Sequence, residues 1–181
     1  PPWSTRPEGR LSVVIDPGRA FGTGAHPTTR LCLSFMLELA DRGLAEGRLT
    51  DIGSGSGVLA IAASGLGWSP VDGFDTEHAA VEAARLNASD NGCDAAFERR
   101  DFREPGPPIG ETVVANLTAP LLVELAASLD PDKIPIRLVC SGLLDREGEK
   151  VTEAFERVGF RPVSTDVIDG WRGILMESSA R

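Results

Sequence analysis

"DIGSGSGVLAIAA", residues 51–63, carries an acidic residue, then glycines at 53, 55 and 57 alternating with serines, then an apolar run. Glycine lets a chain turn sharply and brings bare backbone against whatever lies beside it. The stretch reads as a strand ending near Ile52, a tight loop, and a helix over residues 57–66 stopped by Gly67. Residues 55–60, "GSGVLA", also fit the dinucleotide fingerprint G-x-G-x-x-A, which a ligand-free strand-to-helix turn can produce equally well.

Working outward, the pattern alternates. "PVDGFD" (70–75) reads as a second strand, followed by a helix with Thr76 as N-cap and Gly92 past its end. A weak strand over 95–100 leads to Asp101, and "GPPIG" breaks the chain before a fourth strand, "ETVVANL". A helix over 119–129, a strand over 136–142 and a helix from an Asp145 cap to Val158 come next. The chain closes with "FRPVSTDVI" and "WRGILMES", two strands joined by a turn at Asp169-Gly170. Upstream, a helix over 28–40 has Pro27 in its first turn and Gly43 as its stop. Residues 11–15, "LSVVI", form a strand candidate, separated from that helix by the long loop "DPGRAFGTGAHPTT". Residues 1–10 are Pro-rich and linker-like. Such alternation implies an α/β domain over 11–181, with a mainly parallel sheet covered on both faces and an antiparallel last strand. Ligands of such sheets sit at the carboxyl ends of the strands, where the strand order switches.

The 181 residues suit one domain, and 41% hydrophobic with 25% charged residues is ordinary for a globular protein. No apolar run approaches the roughly 18 residues that suggest a membrane span. A net charge of −9 argues against direct nucleic-acid binding and suits either a solvated surface or a basic partner. Cys32, Cys93 and Cys140 are odd in number and widely spaced, which fits neither a metal site nor a disulfide framework and points to a reducing cytoplasm.

The acidic residues discriminate between ligands. Asp75, at the end of the second strand, can accept hydrogen bonds from both ribose hydroxyls of an adenosine. Asp51, just ahead of the loop, disfavours a pyrophosphate and welcomes a cationic sulfonium or ammonium; it also suits the N-terminus of the following helix. S-adenosyl-L-methionine carries both cations and no phosphate. Asn116, at the end of the fourth strand, can accept an N–H from a bound amine or hold the cofactor's methionine portion. Asp101, after the third strand, reads either as an adenine neighbour or as a solvated carboxylate.

In order and spacing, "DPGRAFGTGAHPTTRLCL", "DIGSGSGVLAIAA", "GFDTEHAAVEAARLNASDNG", "VVANLTAPLL" and "CSGLL" resemble the PrmA family, the methyltransferases of bacterial ribosomal protein L11. The resemblance runs over nearly the whole chain. It implies a seven-stranded Rossmann-like class I methyltransferase fold, S-adenosyl-L-methionine as donor, and protein amino groups (lysine or N-terminal) as acceptors, with a ribosomal protein as partner. By position, the family's cofactor contacts fall on Thr29, Gly53, Asp75 and Asn116. The family's "FGTGAHPTT" loop lies over the cofactor, which makes Phe21, Thr23 and His26 site neighbours; Gly55 and Asp51 share the glycine loop. Trp171 resembles a family tryptophan. The family's N-terminal substrate-recognition domain has no counterpart in this chain, Ser54 replaces its usual cysteine, and "ANLTAP" replaces its usual isoleucine and glycine. The expected chemistry is in-line attack of a neutral amine on the sulfonium methyl, with Asn116 as the orienting residue. None of Asp51, His26 or Asp101 stands out as a base. Three other readings stay open: the same fold acting on a different protein lysine or small amine, a non-catalytic binding module, and an NAD-linked oxidoreductase.

Overall fold

In the computed structural model, which describes residues 11–16, 24–104, 109–130 and 133–179, the elements run α1 (Pro27–Asp41), β1 (Leu49–Ile52), α2 (Val58–Leu66), β2 (Val71–Asp75), α3 (His78–Asp90), β3 (Ala96–Arg99), β4 (Thr112–Asn116), α4 (Ala119–Ser128), β5 (Arg137–Leu144), α5 (Gly148–Glu156), β6 (Phe160–Ile168) and β7 (Trp171–Ser178). The seven strands form one sheet in the order β3-β2-β1-β4-β5-β7-β6. Neighbours from β3 to β5 pair in parallel, while β7 is antiparallel to both β5 and β6. This is the α/β, Rossmann-like topology that the alternation and the resemblance imply.

Strand side chains alternate between faces, so a sheet covered on both sides needs apolar residues at consecutive positions. Val114 and Leu175 join the core under α1, α2 and α3, whereas Val113, Ala115, Ile174 and Met176 join the core under α4 and α5. Ala60, Ala62 and Ala63 keep α2 slim where it lies against the sheet. Gly57, its N-cap, has φ 79°, and a Cβ there would lie 3.0 Å from both Ala84 Cβ and Phe97 Cζ. Both the loop conformation and the close approach of α3 therefore require glycine. Cys32, Cys93 and Cys140 are free thiols. Burial pushes Cys140 up to about 12 and raises Cys32 as well, which keeps both unreactive.

The structure corrects three local expectations. Residues 11–15 join no sheet: Val14 exchanges backbone bonds with the Asn91 amide (2.8 and 2.7 Å), and the Asp16 N–H donates to Asn87 Oδ1 (3.2 Å). Two side-chain amides four residues apart, Asn87 in the last turn of α3 and Asn91 at its C-cap, satisfy backbone groups that a neighbouring strand was expected to satisfy. The helix expected to start at Thr76 starts at His78 with Glu77 as N-cap, because the Asp75 carboxylate accepts the Glu77 N–H at 2.9 Å. Asp145 opens a single 3₁₀ turn, and α5 begins only at Gly148.

Candidate functional site

The chain runs outward from β1 through β2 to β3 and then returns to β4 on the other side of β1, so the strand order switches there. The loop after β1 lies at that switch. Gly53, Gly55 and Gly57 have φ of 76°, 51° and 79°. The N–H groups of Gly53 and Ser54 both donate to the Phe74 carbonyl (2.8 and 2.9 Å), and that of Gly57 to the Ser54 carbonyl (2.8 Å). The Gly55 N–H donates to Asp75 Oδ2 at 2.9 Å. A phosphate-binding loop aims such donors at its ligand. Here these four are committed to protein acceptors, which disfavours a pyrophosphate and with it the dinucleotide reading of "GSGVLA".

Two cavities share Gly53 and Gly55 in their linings. The larger, about 350 Å³, has walls from Phe74, Ala80, Phe102, Leu117 and Leu121, with Asp75, Glu77 and Asp101 on its polar side. The Arg100 guanidinium lies 4.9 Å from the Phe74 ring centroid, a cation–π distance. Asp101 is held below the usual carboxylate range by the backbone N–H of Arg103 and by its guanidinium, which also bonds Glu124 at 2.9 Å. The smaller cavity, about 50 Å³, is lined by Thr29, residues 53–56, Val58, Leu59 and Asn116. There Asn116 Nδ2 donates to Thr29 Oγ1 at 3.4 Å. His26 caps α1 by accepting the Thr28 N–H, and its ring meets Trp171 edge to face at 5.1 Å.

Asp51 lies beneath the loop and lines neither cavity. It is 1% exposed; Oδ2 accepts the Ala60 N–H at 3.2 Å in the first turn of α2, and Oδ1 has no hydrogen-bond partner among the described residues. Burial pushes its carboxyl up to about 7, opposed by the Ala60 bond and reinforced by Asp75. Of the two readings of Asp51, its contacts match the helix partner. Thr29, Gly53, Gly55, Asp75, Asp101 and Asn116 all face the two cavities, whereas Phe21 and Thr23 fall outside the described residues. Sequence reasoning missed Phe74, Leu117, Leu121 and Arg103. Phe74 and Leu117 sit next to Asp75 and Asn116 at strand ends, and that adjacency was the available signal.

Comparison with known proteins bears on this arrangement. The family model described as "Ribosomal protein L11 methyltransferase (PrmA)" matches residues 1–179. A ribosomal protein L11 methyltransferase of Symbiobacterium thermophilum is 38% identical over 93% of this chain and 55% of its own length. One of Azotobacter vinelandii is 42% identical over 94% of this chain and 58% of its own. The chain thus spans little more than half the length of these curated relatives. The crystal structure of a ribosomal protein L11 methylase from Lactobacillus delbrueckii subsp. bulgaricus superposes with a TM-score of 0.83 at 26% identity, covering 98% of this chain and 92% of that one. With the sheet order, the glycine loop and the match over residues 1–179 in agreement, the chain belongs to the ribosomal protein L11 methyltransferase (PrmA) family.

Proposed function

We propose that residues 11–181 are the catalytic unit of an S-adenosyl-L-methionine-dependent protein N-methyltransferase, with amino groups of ribosomal protein L11 as acceptors and the cytoplasm as its place of work. The observation that carries the reading is the pair of cavities on either side of a glycine loop whose donors turn inward. An adenosyl ligand with no phosphate suits that loop. The Asp75 carboxylate accepts one backbone N–H on each oxygen and keeps lone pairs for two ribose hydroxyls. Phe74 and Leu117 give the adenosine apolar walls, the ligand runs along the loop at Gly53 and Gly55, which line both cavities, and Thr29 and Asn116 take its amino-acid end.

When bound, the cofactor supplies an electrophilic methyl on a positively charged sulfur. The chain contributes position and exclusion of water. With its amide N–H on Thr29, Asn116 has its carbonyl oxygen to accept an N–H from the incoming amine and orient the lone pair. A lysine must lose its proton before attack, because only the neutral amine carries a free lone pair.

Calorimetric titration of the chain with S-adenosylhomocysteine and with NAD tests the cofactor half. Binding of the first and not the second is expected, and the reverse overturns the reading. Radiolabelled methyl transfer to purified ribosomal protein L11 tests the acceptor half; label on another protein or on a small amine replaces L11 without touching the cofactor.

A further inference from the structure

Leu117 sits between two glycines far apart in sequence. Its side chain covers Gly53, where an added Cβ would lie 2.5 Å from Leu117 Cδ2. Its backbone covers Gly142, where an added Cβ would lie 2.3 Å from the Leu117 carbonyl oxygen, 2.7 Å from its carbonyl carbon and 2.8 Å from its nitrogen. Gly142 has φ 92° and falls within the register shift between Cys140 and Leu143, where β5 bulges against β7. The bulge is fastened on both sides. The Ser141 carbonyl accepts the Leu117 N–H at 3.0 Å, and the Ser141 hydroxyl donates to the Arg172 carbonyl at 2.8 Å.

These contacts differ in kind. A side-chain tip such as Leu117 Cδ2 can swing aside, but the Leu117 backbone cannot retreat without drawing Asn116 from its pairing with Ser141. The two residues also face different spaces: Asn116 lines the smaller cavity and Leu117 the larger. We infer that Gly142 is a positioning residue, whose bare α-carbon carries the backbone of Leu117 and so sets where Asn116 and Leu117 enter the two halves of the cleft. The inference rests on the proposed function, since a ligand spanning both cavities feels that placement most.

Gly142→Ala is compared with Gly92→Ala. Gly92 also has a positive φ, 63°, with open space where its Cβ would go, so it carries the backbone strain without the contact. Both variants are expected to melt earlier. Well below melting, Gly92→Ala binds S-adenosylhomocysteine as the unaltered chain does, whereas Gly142→Ala binds at least about tenfold more weakly. Methyl-labelled NMR spectra show the Leu117 resonances displaced only in Gly142→Ala. A folded Gly142→Ala chain with affinity within about twofold of the original and unmoved Leu117 methyls overturns the inference. Should Gly142→Ala fail to fold, Ser141→Ala, which unfastens the bulge from the Arg172 carbonyl without touching a cavity wall, decides: displaced Leu117 methyls with weakened binding support the inference, and unmoved methyls with unchanged binding overturn it. If the unaltered chain binds no S-adenosylhomocysteine, the functional reading falls, and the Leu117 resonances still report on the positioning.

Discussion

The backbone N–H of Gly55 donates to Oδ2 of Asp75 across 2.9 Å, which ties the loop after β1 to the end of β2. The second oxygen of the same carboxylate accepts the Glu77 N–H ahead of α3. One side chain thereby shapes the glycine loop, starts a helix and lines the larger cavity. Asp75→Ala removes all three functions. Its expected effect on S-adenosylhomocysteine affinity, read by calorimetry, is a loss of roughly thirtyfold or more, about 2 kcal/mol. Asp75→Asn keeps one acceptor and falls between the two.

Asp51 makes stability depend on pH. Its carboxyl is raised from the usual range to about 7 in the folded chain, so between about pH 4 and 7 the folded state holds a proton that the unfolded state has lost. The contribution is fully present below the unfolded value and disappears as pH rises through about 7. Urea denaturation of the original chain and of Asp51→Asn at pH 5 and pH 8 isolates it. The original chain should lose stability relative to the variant between the two, by up to a few kcal/mol, about 1.4 kcal/mol for each pH unit inside the window. Parallel curves for the two proteins would remove Asp51 as the source.

Asn116 and Thr29 meet at the smaller cavity. Asn116→Ala should leave the melting temperature nearly unchanged and lower turnover by about a hundredfold, the scale of a lost orienting contact. Full turnover on the true acceptor takes Asn116 out of the reaction. Thr29→Val, which removes the hydroxyl that holds the amide, should lower turnover less than the loss of the amide itself.

Gly57→Ala combines a disfavoured φ with contacts at 3.0 Å to Ala84 and Phe97. Destabilisation of roughly 2–4 kcal/mol is expected from strain and overpacking together. Chemical denaturation measures it, and a loss below about 0.5 kcal/mol would mean that α3 moves aside easily.

What the sequence disclosed depended on how local each signal was. The β6–β7 hairpin was legible to its end residues because Asp169 and Gly170, both with positive φ, mark a tight turn between two extended runs. The glycine loop and its neighbours Asp75 and Asn116 were legible because strand ends in an open α/β sheet converge. Residues 11–15 misled because the partner of Val14, Asn91, lies 77 residues away at the C-cap of α3. The choice between two roles for Asp51 turned on whether its carboxylate reaches a cavity or the Ala60 N–H, which only the fold decides. Gly142 gave no sign within "CSGLL", since the backbone it accommodates, that of Leu117, lies just past the end of β4 and 25 positions away in sequence.

The final strand, β7, lies inside the sheet, while β6, made before it, forms the rim. A chain emerging from the ribosome therefore presents the flank of β5 without its neighbour until residues 171–178 are out, and β6 lacks its partner before then. Ile174, Leu175 and Met176, all fully buried, arrive only with β7. A polypeptide stopped ahead of Trp171 would thus have its sheet split open, with β6 cut off from β5.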